Sequence, residues 1–137
     1  MKESFDLLVR GGTVATPNGI APADVGVIAG RIAAIGSFPD AKAATVFEAK
    51  GLHVLPGVMD TQVHFREPGN THKEDLASGS LAAILGGVTA VFEMPNTAPP
   101  TTTRAAIQDK LARAKGRMHC DHAFYAGATP ANIGALG

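Results

Sequence analysis

The sequence is short of cysteine, of net charge and of long apolar runs, and each shortage excludes something. One cysteine, Cys120, in 137 residues leaves no internal disulfide and fits a reducing compartment. Lys and Arg together number 12, as do Asp and Glu, so the formal net charge is zero. With a pI near 7.0, no long-range field draws the chain to nucleic acid or to an anionic membrane. The basic residues between Arg104 and Arg117 read as the solvated face of a helix. The most apolar stretch, Leu81–Phe92, is broken by Gly86, Gly87 and Thr89. It falls short of the roughly 20 residues that span a bilayer. Met1–Asp6 holds no apolar segment of signal-peptide length. The expectation is a cytoplasmic protein that meets small molecules, not nucleic acid or membrane.

What is there falls into two compositions. Residues 1–55 read as a small β-sandwich segment: short β-prone runs at Phe5–Val9, Thr13–Thr16, Asp24–Ile28, Arg31–Ile35, Thr45–Glu48 and His53–Leu55. Gly11-Gly12, Pro17–Gly19 and Ala29-Gly30 punctuate them with turn chemistry. His53 sits in an apolar run and reads as structural. From residue 56 the period changes. Val58–Phe65 reads as a strand. Thr71 and Glu74 have capping-box spacing for a helix start. Leu81, Ile84, Leu85 and Val88 then recur at helical spacing, and Gly86-Gly87 ends the helix. Val88–Met94 is a continuous apolar run, as in a parallel strand covered on both faces. Thr101–Thr103 can cap a second helix with Ile107 and Leu111 inward. Lys110, Arg113 and Lys115 complement the dipole of its last turn. Asp121–Ala126 reads as a third strand. The order β-α-β-α-β predicts an α/β architecture with right-handed crossovers.

One stretch does not fit a core. Val58–Phe65 runs into Arg66, Glu67, Pro68 and Gly69, and strand alternation would place Asp60, Gln62, His64 and Arg66 on one face. A carboxylate, an amide, an imidazole and a guanidinium at the C-terminal edge of a strand suit chemistry; a solvated loop is the bland alternative. A second short motif, Glu93–Thr97, follows the next strand.

His64–Gly69 followed by Glu93–Thr97 resembles the dihydroorotase branch of the cyclic amidohydrolases. The resemblance extends from Leu7 to Thr129. It implies a partial TIM-type (β/α) barrel over residues 56–137, namely its first three strands and two helices, preceded by the β-segment. It implies zinc-dependent interconversion of carbamoyl-aspartate and dihydroorotate in pyrimidine synthesis. His64 then matches a zinc ligand, Asp60 a supporting carboxylate, and Arg66 and Asn96 the positions that hold a substrate carboxylate. One departure stands out. The family has His-x-His where this chain has Gln62 and His64, and an amide oxygen is a poorer zinc ligand than imidazole. Arg66 disfavours allantoinase, whose substrate carries no carboxylate. Gln62 favours a different alternative, a non-catalytic subunit that scaffolds aspartate carbamoyltransferase; a homo-oligomer is a further possibility.

A whole barrel needs about 250 residues, so the sequence is expected to be the N-terminal portion of a longer protein and inactive alone. The catalytic aspartate and the remaining metal ligands are expected beyond residue 137, leaving no catalytic residue within the chain. His72 reads as part of a helix start. His119 and His122, flanking Cys120, fit no zinc spacing and read as structural.

Overall fold

The structure is a computed structural model and describes residues 4–135. Met1–Glu3 of the N-terminal stretch and residues 136–137 lie outside the described residues. The chain divides after Pro56 into two compact units.

The first unit is one mixed sheet. β1 (Ser4–Thr16), β2 (Gly19–Ile28), β3 (Arg31–Gly36) and β4 (Lys42–Glu48) are ordered β3-β2-β1-β4, and β5 (His53–Val54) also pairs with β1. Two sequence runs on either side of Gly11-Gly12 are therefore a single long strand, with a register shift between Val9 and Gly12. This corrects the sandwich expectation: among the described residues the strands join in one sheet, because β1 is long enough to pair with β4 along its first half and β5 along its second. Phe5, Leu8, Val14 and Val25 are buried on it. The buried carboxylate of Asp24 accepts the amides of Gly11 (2.7 Å) and Phe38 (2.8 Å), fixing the β1 shift and the chain beyond β3. His53 is exposed on β5.

The second unit is the β-α-β-α-β run. Parallel strands β6 (Val58–Val63), β7 (Val88–Glu93) and β8 (Asp121–Phe124) lie in the order β6-β7-β8, with α1 (Leu76–Leu85) and α2 (Arg104–Ala114) as connections. Its core is Phe65, Leu76, Val91 and Ala114, with Val63, Val88, Met118 and Phe124 packed against them. No helix among the described residues is long and apolar enough to cross a membrane.

Three local expectations are corrected. The cap of α1 is Asp75, not Thr71. Asp75 accepts the Ser78 amide (2.8 Å) while the Ser78 hydroxyl receives the Asp75 amide (3.2 Å), a reciprocal box one turn later than Thr71 and Glu74. Residues 71–73 are turn, His72 among them. Second, α1 buries Leu76, Gly79 and Ser80, whereas Leu81 and Leu85 are exposed. The small face wins because Phe65 lies directly on Gly79, where any Cβ would overlap the ring. Third, α2 turns Lys110 and Ala114 inward and leaves Leu111 exposed. Thr103 does cap α2, accepting the Ala106 amide at 3.1 Å.

Candidate active site

The C-terminal edge of the three parallel strands carries both motifs. β6 ends at Val63, yet its ladder with β7 continues through a Met94 amide to Val63 carbonyl bond (3.0 Å). β8 continues likewise, Tyr125 donating to Glu93 (3.0 Å). Beyond this edge lies a shallow, wide-open cavity bordered by Gln62, Thr61, Pro95, Tyr125 and Gly127. Gln62 is the one sequence-predicted site residue on that border.

Strict alternation does not carry through the first motif. The register with β7 is irregular between Asp60 and Val63, so the neighbours Thr61 and Gln62 both line the cavity. The Asp60 carboxylate accepts the Gln62 amide (2.9 Å), a local turn within the strand end. Arg66 has left-handed backbone, φ +64°, and is exposed. The face expected to hold residues 60, 62, 64 and 66 together therefore breaks before Arg66, because strand geometry ends at Val63.

The structure brings His64 and Asn96 together instead. Nδ1 of His64 lies 2.8 Å from Oδ1 of Asn96, across the β6–α1 and β7–α2 loops. The same loops are stitched by the Ala98 amide donating to the Pro68 carbonyl (3.1 Å). Gly69 packs on Ala98 so closely that a Cβ there would meet the Ala98 Cβ at 2.6 Å. The second loop is held in turn. Thr101 donates its amide to Pro95 (2.8 Å) and accepts from Gly127 (2.8 Å).

Two ionic anchors lie beneath the loops, and sequence reasoning missed both. Glu67 is buried and receives two bonds from the Arg117 guanidinium (2.8 and 3.0 Å) and one from the Leu76 amide at the start of α1 (3.0 Å). The Arg117 hydrogen bonds hold the Glu67 carboxyl below its ordinary value, against burial, with the Leu76 amide helping. Glu93, closing β7, meets Lys110 of α2 at 2.7 Å, both buried. Burial pushes the Glu93 carboxyl up, opposed by Lys110. The Lys110 ammonium also stands 5.2 Å from the centre of the Phe124 ring. The usable signal for Glu67 was its place inside the motif. For Lys110 it was its spacing from Ala114, which puts both on one helix face.

No group of three or more His, Cys, Asp or Glu able to hold a metal occurs among the described residues. His119 and His122 stay apart from the motifs: the His119 amide donates to Ser80 Oγ (3.1 Å), and the exposed His122 ring packs near Phe124. Desolvation raises the Cys120 thiol above its ordinary value, which leaves it less of the reactive thiolate.

Comparison with known proteins changes the expected activity. Residues 51–131 match the family described as Dihydro-orotase-like. An allantoinase of Rubrobacter xylanophilus is 46% identical over 134 residues, covering 97% of this chain and 29% of that protein. An allantoinase of Deinococcus radiodurans is 40% identical, covering 97% and 30%. Among solved structures, the L-hydantoinase of Arthrobacter aurescens superposes with a TM-score of 0.87 at 36% identity, covering 93% of this chain and 29% of that one. The D-hydantoinase of Thermus sp. gives 0.78 at 28% identity, covering 95% and 30%. The chain thus spans less than a third of the relatives it matches.

These relatives overturn the dihydroorotase assignment in favour of the allantoinase alternative, and they lend no support to pyrimidine synthesis or to a carbamoyltransferase scaffold. Arg66, expected to disfavour allantoinase, does not outweigh these relatives. A guanidinium binds a carboxylate more strongly but also donates to neutral carbonyl oxygens, so its presence does not exclude an uncharged ureide ring. The motifs locate the chain correctly at the coarser level: it belongs to the dihydro-orotase-like family of cyclic amidohydrolases.

Proposed function

We propose that the chain carries the first part of the active centre of an amidohydrolase that opens a small cyclic ureide, allantoin being the favoured substrate. The observation that carries this reading is the 46% identity across nearly the whole chain to a protein named allantoinase. The hydantoinase neighbours support the same ring chemistry, since hydantoin is the ring of allantoin. In this reading β6, β7 and β8 are the opening strands of a (β/α) barrel, whose chemistry sits at the C-terminal strand edge.

His64 would give one nitrogen donor to a zinc ion. The fit is partial. One imidazole has its second nitrogen already engaged, Gln62 offers an amide oxygen, and the Asp60 carboxylate is turned to its own strand. A catalytic zinc takes three protein ligands, so other segments must complete the set. When bound, such a metal lowers the pKa of water and polarises a carbonyl. The chain's own residues bind and orient. Gln62 and the Tyr125–Gly127 wall bound the cavity, and Arg66 offers donors to ring carbonyls. Asn96 lies on the facing loop.

The test is an assay of the natural protein carrying this sequence, supplied with zinc, on allantoin and on hydantoin. Ring opening of allantoin, lowered at least about 100-fold by His64→Ala, is expected from loss of a metal ligand or its support. Turnover of neither ring would contradict the proposal.

A further inference from the structure

We propose that Asn96 is a positioning residue for His64, fixing which imidazole nitrogen faces the metal. This rests on His64 being a metal donor, but the hydrogen bond behind it does not. Nδ1 of His64 and Oδ1 of Asn96 are 2.8 Å apart, although the residues are 32 apart in sequence. A neutral imidazole has one N–H donor and one bare acceptor nitrogen. A carbonyl oxygen only accepts. Oδ1 therefore requires the proton on Nδ1, leaving the lone pair of Nε2 for a cation. A histidine side chain free in water prefers the opposite tautomer, with the proton on Nε2, so the partner changes the donor atom as well as the ring's angle.

Asn96 is held well enough to impose this. The Thr97 and Thr101 amides both donate to the Pro95 carbonyl (2.9 and 2.8 Å), closing a tight turn around Asn96. Thr97 Oγ1 and Thr101 Oγ1 are a further 3.0 Å pair. The turn is joined to the His64 loop at Ala98. Asn96 thus does for His64 what carboxylates and backbone carbonyls do for metal-bound histidines generally. It does so without adding a charge.

Nitrogen-15 NMR of the metal-free natural protein, at a pH where imidazoles are neutral, reads the His64 tautomer directly. The expected result is a protonated Nδ1 in the wild type. Asn96→Ala should move the population toward Nε2–H, while Asn96→Asp, still an acceptor, should keep Nδ1–H. Zinc affinity by chelator competition should fall about 10–100-fold in Asn96→Ala and recover in Asn96→Asp. A wild-type proton on Nε2, or a tautomer and zinc affinity untouched by Asn96→Ala, would overturn the proposal. If Asn96→Ala does not fold, the wild-type tautomer alone decides. Absence of ring-opening activity would count against the functional reading, not against this one.

Discussion

Arg66 and Glu67 are neighbours with opposite fates. Arg66 is exposed with left-handed backbone, a conformation that costs a non-glycine residue about 1–2 kcal/mol. Glu67 is buried and triply bonded, so it holds the loop in which that strain sits. Its depressed pKa fixes a pH dependence. Below its ordinary value of 4.5, the unfolded state takes up the proton first. The stabilisation is thus complete above that pH and lost as pH falls through the lower folded value. Glu67→Gln should cost about 1–2 kcal/mol near neutrality, discounted because Arg117 is partly exposed. The gap in melting temperature between wild type and variant should close as pH falls below 4.5. A gap constant with pH would mean that the carboxylate's charge is irrelevant. The sequence marked Glu67 as part of a motif, but only the fold shows that Arg117, fifty positions later, reaches it.

At the scale of elements, strand order and helix number were legible because apolar runs and glycine stops are local signals. Which helix face turns inward was not. Leu81, Leu85 and Leu111 looked like core, yet each is exposed, since Phe65 selects the small Gly79 face and Glu93 draws in Lys110. Tertiary partners decide this, and they lie outside the window in which periodicity is read. The observed cap makes a sharp prediction. Asp75→Ala should lower the denaturant midpoint, while Thr71→Ala changes it little; equal losses would favour the earlier box. The buried pair makes another. Lys110→Met or Glu93→Leu alone should cost about 3–5 kcal/mol by stranding a charge, and the double replacement should cost much less than their sum. Additive losses in that double-mutant cycle would show that the two do not interact.

At the scale of the whole molecule, the two units differ in kind: a mixed sheet up to Pro56, and a parallel α/β unit from Gly57. The candidate site belongs to the second, where two loops meet through His64 and Asn96. The family was readable from His64–Gly69 and Glu93–Thr97. Substrate was not, because a lone guanidinium can serve both charged and neutral acceptors and the cavity is bordered by the end of β6 and the segments that follow β7 and β8. The most direct measurement is kcat/KM for allantoin and for dihydroorotate in the same zinc-supplied natural protein carrying this sequence. Preference for allantoin by at least about 100-fold, roughly 2.7 kcal/mol of transition-state discrimination, is the predicted result. Preference for dihydroorotate would contradict it.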